Sequence, residues 1–116
     1  SDDGRKDPLL AGFPPRFEAF EWHGDVFDLP AGTVSLAASA RYPYQAFRVG
    51  RRVYGLLFHL EVTAPMVRVM TDTFKDEVVA LGDPSRTSAI LADLARRTPA
   101  LNALARRLFS AFLALL

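Results

Sequence analysis

The sequence contains no cysteine, and this absence excludes several kinds of chemistry. Disulfide bonds, cysteine-ligated zinc and a cysteine nucleophile within these 116 residues are all excluded. No serine lies in a G-x-S-x-G elbow, so the sequence does not predict a serine hydrolase of that type. Histidine is scarce as well, and His23 and His59 are the only imidazoles available for catalysis or metal binding.

An excess of one charge and a long apolar run are also missing. The 14 basic and 13 acidic residues leave a net charge of +1, so we expect no nucleic-acid partner. Residues 108–116 are mostly apolar, but a membrane-spanning helix needs about 20 such residues, and we expect no membrane partner. The polar start, residues 1–6, is unlike a signal peptide. We therefore expect a cytoplasmic protein in which residues 1–116 form one partial domain.

The first half of the chain alternates apolar and polar side chains. Residues 1–15 are rich in charge, glycine and proline and predict an N-terminal loop. Residues 16–61 predict strands, in four segments at 17–22, 33–38, 45–49 and 52–58. Gly50 and Arg51 predict a two-residue hairpin turn, so the sheet should end antiparallel.

The second half, residues 64–116, predicts helices because the apolar spacing changes to about 3.6. One apolar stripe consists of Met66, Met70, Phe74, Val78 and Leu81, with Gly82 closing the helix. Asp83-Pro84 and Thr98-Pro99 each place a capping side chain before a proline, which predicts two further helix starts.

Four arginines lie in the window 41–52, which contains no acidic residue: Arg41, Arg48, Arg51 and Arg52. Such a window binds anions or nucleic acid in some proteins. Because no recognised nucleic-acid motif accompanies it, we interpret it as the charged edge of a hairpin.

The most informative stretch is residues 54–61, an apolar run that ends in His59 and Glu61. On a strand these two side chains would point to the same side, about 6.5 Å apart along the backbone. A carboxylate bonded to one ring nitrogen fixes the tautomer and leaves the other nitrogen free to serve a nucleophile. The pattern predicts a catalytic base with its orienting carboxylate.

A second cluster consists of His23, Gly24 and Asp25. It predicts either a tight loop turn or a segment that lines a ligand cleft, where glycine allows close approach. Together with His59 and Glu61 it could also form a metal site, but no ligand spacing such as HExxH supports one, so we predict none.

Two segments resemble the C-terminal half of class I glutamine amidotransferases, particularly the stand-alone type related to the amidotransferase domain of GMP synthase. Residues 20–30 resemble the W/S-H-G-D segment of that family, and residues 55–61 resemble its G-x-Q-F-H-P-E segment. Gln45-Ala46-Phe47 lies between them in the family order. The resemblance implies an α/β, flavodoxin-like fold, here its C-terminal half, with a short mixed sheet, an antiparallel hairpin and C-terminal helices.

The resemblance also implies roles for particular residues and no cofactor. His59 would be the base of a Cys-His-Glu triad, Glu61 its carboxylate partner, and His23, Gly24 and Asp25 would line the glutamine pocket. The family cysteine lies upstream, so we expect a C-terminal fragment that is inactive alone and needs an N-terminal half or partner chain. Leu57 replaces the usual glutamine and Leu60 the usual proline, which leaves the substrate open.

Two other functions stay open at this stage. A half-domain with an open sheet edge and apolar helices could be a non-catalytic interaction module, binding a partner or forming a homo-oligomer. The two histidines could instead serve a metal-dependent hydrolase.

Overall fold

The computed structural model describes residues 1–80 and 85–116, the latter without the side chain of Arg86. The predictions for Leu81, Gly82 and Asp83-Pro84 lie outside the described residues. The elements, in chain order, are α1 (Asp2–Lys6), β1 (Thr33–Ala37), β2 (Ala46–Val49), β3 (Val53–Leu56), α2 (Ala64–Thr73), α3 (Lys75–Ala80) and α4 (Ser85–Leu113).

The three strands form one antiparallel sheet in the order β1-β2-β3, as expected for the end of the predicted sheet. The β2–β3 connection is longer than predicted, because Val49 pairs with Val53 and leaves a loop of three residues. Gly50 opens this loop at φ +57°, a conformation that glycine adopts without steric cost. On the sheet itself, Phe47 pairs with Gly55, and its ring occupies the space that a Cβ at position 55 would need.

The N-terminal segment, predicted as a loop over residues 1–15, contains helix α1. The hydroxyl of Ser1 caps it by accepting from the Gly4 amide at 2.9 Å. Asp7, Leu9 and Leu10 follow the helix and are buried. The prediction failed here because glycine and charge at residues 2–6 indicate a loop by composition, whereas a cap and a tertiary contact are enough to hold one helical turn.

The first predicted strand, residues 17–22, forms only an isolated bridge between Phe20 and His59. Its aromatic side chains pack against other aromatic rings, and its backbone does not extend a strand ladder. Phe17 lies edge-on to Phe58 at 5.5 Å between centroids, and Phe20 stacks with Trp22 at 6.1 Å. The alternation of aromatic residues therefore reflects side-chain packing.

The first predicted helix begins as expected but is divided in two. Thr63 caps α2 by accepting from the Met66 amide, and the helix ends at Thr73 with Phe74 as its C-cap, after which α3 begins at Lys75. The buried positions of α2 are Val67 and Thr71, one residue beyond the predicted stripe, while Met66 and Phe74 are 45% and 41% exposed. The spacing of apolar residues along the predicted stripe did not show which of two neighbouring faces of the helix is buried.

The helix start predicted at Thr98-Pro99 is wrong, because Pro99 lies inside α4. Proline removes one amide donor from a helix and crowds the preceding turn. The side chain of Thr98 donates instead to the Leu94 carbonyl at 2.7 Å. A Thr-Pro pair thus occurs within a continuous helix.

The chain forms two compact units, residues 1–60 with 104–116 and residues 61–103. The first unit contains the sheet and buries chiefly aliphatic side chains together with Phe58: Leu9, Leu10, Leu36, Ala37, Ala46, Phe58, Leu60, Ala105 and Leu108. The second unit buries Val62, Val67, Val78, Leu94 and Leu101. Among the described residues, no helix has the length and apolar character that crossing a membrane requires.

Candidate active site

His59 is held through its backbone. Its amide donates to the Phe20 carbonyl at 2.8 Å, and the Phe20 amide donates to the His59 carbonyl at 3.0 Å. The imidazole is half-buried, with the Phe20 ring tilted 58° to it at 6.4 Å between centroids. The bridge fixes the position of the chain at the predicted base.

Glu61 does not lie on a strand. Regular pairing of β3 ends at Leu56, and the last ladder contact is the Leu57 amide donating to the Gln45 carbonyl at 2.9 Å. Glu61 is exposed and is the first residue of the second compact unit. The strand alternation used to place the side chains of residues 59 and 61 on one side therefore does not apply, since the strand stops before them.

His23 has acceptors at both ring nitrogens. Its Nδ1 lies 2.9 Å from the backbone carbonyl of Asp25, and its Nε2 lies 2.7 Å from Oε2 of Glu21. Tyr42 packs edge-on against the ring at 5.1 Å. A carbonyl and a carboxylate only accept hydrogen bonds, so both contacts are hydrogen bonds only when the imidazole carries both protons. A neutral ring donates to one of them.

Glu21 and Gln45 are the members of this network that the sequence analysis did not select. The side-chain nitrogen of Gln45, Nε2, lies 3.3 Å from Oε2 of Glu21 and 3.3 Å from the hydroxyl of Ser39. That hydroxyl also accepts from the Tyr42 amide at 3.1 Å. The contacts from His23 through Glu21 to Gln45 thus connect a loop to the start of β2.

Gln45 is buried, with 3% of its surface exposed, and its Oε1 atom has no hydrogen-bond partner among residues 1–80 and 85–116. Exchanging its oxygen and nitrogen would set two acceptors, the amide oxygen and the Glu21 carboxylate, against each other. The orientation is therefore fixed by Glu21. Two signals could have identified this pair: Glu21 stands two residues before His23, and Gln45 opens the Gln45-Ala46-Phe47 segment.

A cleft of about 730 Å³ in the first unit adjoins this network. Glu21, Ser39 and Gln45 are part of its polar lining, together with Ser1, Arg5 and Arg16, and Phe17 and Phe58 are part of its apolar lining. The volume lies within the range typical of small-molecule sites, and the mixture of aromatic and polar side chains is also typical of them.

Gly24 and Asp25 contribute less than their sequence pattern predicts. Nothing lies within 4 Å of the place where a Cβ at Gly24 would be, so no close approach requires glycine there. Asp25 is exposed and contacts His23 through its backbone carbonyl. His23 and Asp25, two of the predicted site residues, are in direct contact.

No cluster of three or more histidine, aspartate or glutamate side chains that could hold a metal ion occurs among the described residues. The His23 ring contacts a carboxylate, a backbone carbonyl and an aromatic ring.

The fold and sequence both relate this chain to known proteins, although no protein-family model matches it. It superimposes on a crystal structure of a glutamine amidotransferase from Thermotoga maritima with a TM-score of 0.78 and 32% identity, covering 90% of this chain and 44% of that one. The chain is related to the glutamine amidotransferases, as its motifs predicted, and its α/β fold matches a fragment of their fold.

A second comparison relates the sequence to a particular kind of glutamine-hydrolysing enzyme. Over 73 residues, 61% of this chain, the sequence is 41% identical to the glutamine-hydrolysing GMP synthase of Thermomicrobium roseum. The matched region is 14% of that protein. The chain thus spans less than half the length of either relative.

Proposed function

We propose that this chain is the histidine-bearing part of a class I glutamine amidotransferase, which hydrolyses the side-chain amide of glutamine to glutamate and ammonia. The observation that carries the proposal is the match of 90% of the chain to a glutamine amidotransferase structure at 32% identity. The His59-x-Glu61 pattern supports it, because it supplies a base and a carboxylate.

In this proposal His59 transfers the protons and Glu61 supports the imidazolium. His59 takes the proton of a cysteine thiol, and the thiolate attacks the amide carbon. The tetrahedral intermediate collapses to a thioester as His59 gives that proton to the departing ammonia. His59 then takes a proton from water, which attacks the thioester and releases glutamate and the thiolate. The charge of Glu61 favours the imidazolium that forms in each half of the cycle.

The nucleophile is supplied from outside these residues, since they contain no cysteine. We propose that it comes from the same polypeptide or from a partner chain, on a G-x-C-x-G-x-Q elbow. A cytoplasmic location belongs to the same proposal, because a catalytic thiolate stays reduced there. Neither a nucleic acid nor a membrane takes part.

The substrate contacts are assigned to His23, Gly24 and Asp25. The support from this chain is the position of His23, which lies between the Glu21 carboxylate and the Asp25 carbonyl and is packed by Tyr42. A side chain restrained on three sides loses little conformational freedom when a ligand binds to its neighbourhood.

Glutaminase assays test this proposal directly. The protein that contains this chain together with its cysteine should release ammonia and glutamate from glutamine, and His59→Ala should lower kcat about 100-fold to 10,000-fold. Arg68→Ala, on the exposed face of α2, is the matched control and should keep full activity. Full glutaminase activity from residues 1–116 alone would contradict the proposal, because it would need a different nucleophile.

A second candidate function is a non-catalytic interaction module, and exposed apolar side chains at the end of the chain favour it. Phe109, Leu113 and Leu116 are each more than half exposed, and such a surface suits a protein partner or a second copy of the chain. Light scattering at several concentrations separates the two candidates. A monomer that hydrolyses glutamine once the cysteine is supplied would rule out the interaction module.

A further inference from the structure

A separate cleft of about 450 Å³ lies beside the β2–β3 hairpin. Three arginines and a tyrosine supply its polar lining, and its apolar lining comes from Pro8 and from residues 114–115. The polar residues are Arg48, Arg51, Arg52 and Tyr54. This cleft shares no lining residue with the cleft beside Gln45.

One arginine of the cleft is already neutralised. Asp7, whose side chain is 1% exposed, accepts from Nε of Arg48 at 2.7 Å. The other carboxylate oxygen of Asp7 accepts from the Tyr54 hydroxyl at 3.1 Å and the Leu9 amide at 3.0 Å. With both oxygens engaged, Asp7 balances one positive charge and leaves the rest of the cleft basic.

The two remaining arginines carry uncompensated charge. Arg51 and Arg52 lie in the hairpin loop, are exposed, and make no ion pair or hydrogen bond within residues 1–80 and 85–116. Guanidinium groups present planar arrays of donors that match phosphate oxygens. Arg51 and Arg52 are neighbours in sequence and both line the cleft, an arrangement suited to an oxyanion.

We propose that this cleft binds a small phosphorylated organic molecule, with its phosphoryl group between Arg51 and Arg52. The cleft has apolar lining as well as arginines, which suits a ligand with a second, organic part. That part packs against Pro8, Tyr54 and Leu115, which offer an apolar and aromatic surface. This binding is independent of glutamine hydrolysis, because it uses none of the residues proposed for that reaction.

The competing explanation is that the arginines simply stabilise the end of α4. Helix carbonyl ends attract cations, and α4 ends at Leu113, next to the residues that line this cleft. Such an attraction would raise stability without selecting a ligand. Binding of a defined phosphate ester therefore distinguishes the two explanations.

The test is a titration of the isotope-labelled protein with phenyl phosphate and with inorganic phosphate at constant ionic strength, followed by amide NMR shifts. The proposal predicts saturable shifts at residues 50–54, and a lower Kd for phenyl phosphate than for inorganic phosphate. The double variant Arg51→Ala/Arg52→Ala should raise the Kd of phenyl phosphate about tenfold or more, since it removes charge-assisted hydrogen bonds.

The control is Arg68→Ala/Arg106→Ala, which removes the same charge from two other exposed arginines and should change the Kd less than about twofold. Equal weakening in both double variants would overturn the proposal, because it would show general attraction of anions. The proposal would also be overturned if no shifts appeared at residues 50–54, or if the two phosphates had equal Kd values. A parallel titration with an acidic peptide would overturn it if the peptide bound more tightly than phenyl phosphate.

Discussion

The Oε2 atom of Glu21 lies 2.7 Å from Nε2 of His23, two residues further along the chain. The same oxygen is 3.3 Å from the buried amide nitrogen of Gln45. The Glu21 side chain, which is 41% exposed, therefore joins the predicted substrate loop to the sheet. Its pairing with His23 is one of three contacts that hold that imidazole, beside those with the Asp25 carbonyl and the Tyr42 ring.

Replacing Gln45 with glutamate should destabilise the protein more than replacing it with leucine. The leucine variant loses two hydrogen bonds of 3.3 Å but also removes an acceptor without a partner, so we expect a change within about 1 kcal/mol in the free energy of unfolding. The glutamate variant places a second carboxylate against Glu21, and we expect a cost of about 1–3 kcal/mol at pH 7.

Urea unfolding at pH 7 and pH 4 checks this pair of variants. The cost of the glutamate substitution should shrink at pH 4, because protonation of one carboxyl removes the repulsion between the two. If leucine costs more than glutamate at pH 7, the contact between Gln45 and Glu21 does not have the importance given to it here.

Removing the charge of Asp7 should be costly. The variant Asp7→Asn replaces an acceptor of three hydrogen bonds with a group that also donates, and it leaves Arg48 without its anionic partner, with the Gly50 carbonyl as its remaining acceptor. Because the arginine is 28% exposed, water recovers part of the loss, and we expect about 2–3 kcal/mol. The control, Asp28→Asn on an exposed loop residue, should change the unfolding free energy by less than about 0.5 kcal/mol.

Tyr54 should make the stability fall at alkaline pH. Burial, followed by its hydrogen bond to Asp7, raises the pKa of Tyr54 above the ordinary value of 10.0. Between pH 10.0 and the raised pKa, the unfolded chain loses the phenolic proton while the folded protein keeps it. The stability contributed by this proton is complete below pH 10.0 and is lost as the pH rises through the folded pKa.

Tyrosinate absorbance during an alkaline titration measures this directly. Tyr54→Phe should remove the latest-titrating phase and flatten the fall of stability above pH 10.0. Tyr44→Phe serves as the control, because it removes a tyrosine while leaving the Asp7 hydrogen bonds in place. A late phase that persists in Tyr54→Phe would show that another group produces it.

Three glycines should differ in their tolerance of alanine. A Cβ at Gly4 would lie 2.0 Å from the Leu36 carbonyl oxygen, which is backbone and has little room to move, so Gly4→Ala should cost about 2–4 kcal/mol. At Gly55 the obstacle is the Phe47 ring at 2.4 Å, which can rotate, and we expect about 1–2 kcal/mol.

Gly24→Ala is the control for both, since nothing lies within 4 Å of its Cβ position, and it should be nearly neutral. Phe47→Leu should reduce the cost of Gly55→Ala when the two are combined. Thermal unfolding of the single and double variants gives the order. An order with Gly24→Ala as the most harmful would contradict this account.

In the amidotransferase proposed here, changes at His59 and His23 should affect different kinetic constants. His59→Ala removes the proton transfer and should lower kcat, whereas His23→Ala changes the substrate loop and should chiefly raise KM. Glutaminase assays over a range of glutamine concentrations separate these effects. A loss of kcat in His23→Ala as large as in His59→Ala would assign His23 to the chemistry itself.

The sequence predicted strands well where a segment had both alternation and a paired neighbour. The segments at 33–38, 45–49 and 52–58 became β1, β2 and β3, each slightly shorter than predicted. Residues 17–22 alternate equally well, but within the described ranges, 1–80 and 85–116, they pair only through the bridge between Phe20 and His59. Alternation describes one segment, whereas a strand requires a second one beside it.

The site was predicted from motifs, and motifs identify residue types at fixed spacing. They selected His23, His59 and Glu61 but not Gln45, because its importance depends on a contact with Glu21 across 24 positions of sequence. A buried glutamine is recognised only when its neighbours in space are known.

The sequence by itself determined the relationship to glutamine amidotransferases, the antiparallel end of the sheet and the absence of a cysteine in these residues, because each depends on residue identity and local order. The tertiary structure alone decided that α1 forms within the N-terminal segment, that Pro99 lies inside a helix, and that Glu21 joins His23 to Gln45. Helix α1 and the link from Glu21 involve contacts between residues distant in sequence, Ser1 with Leu36 and Glu21 with Gln45, and the free energies of such contacts outweigh local preference.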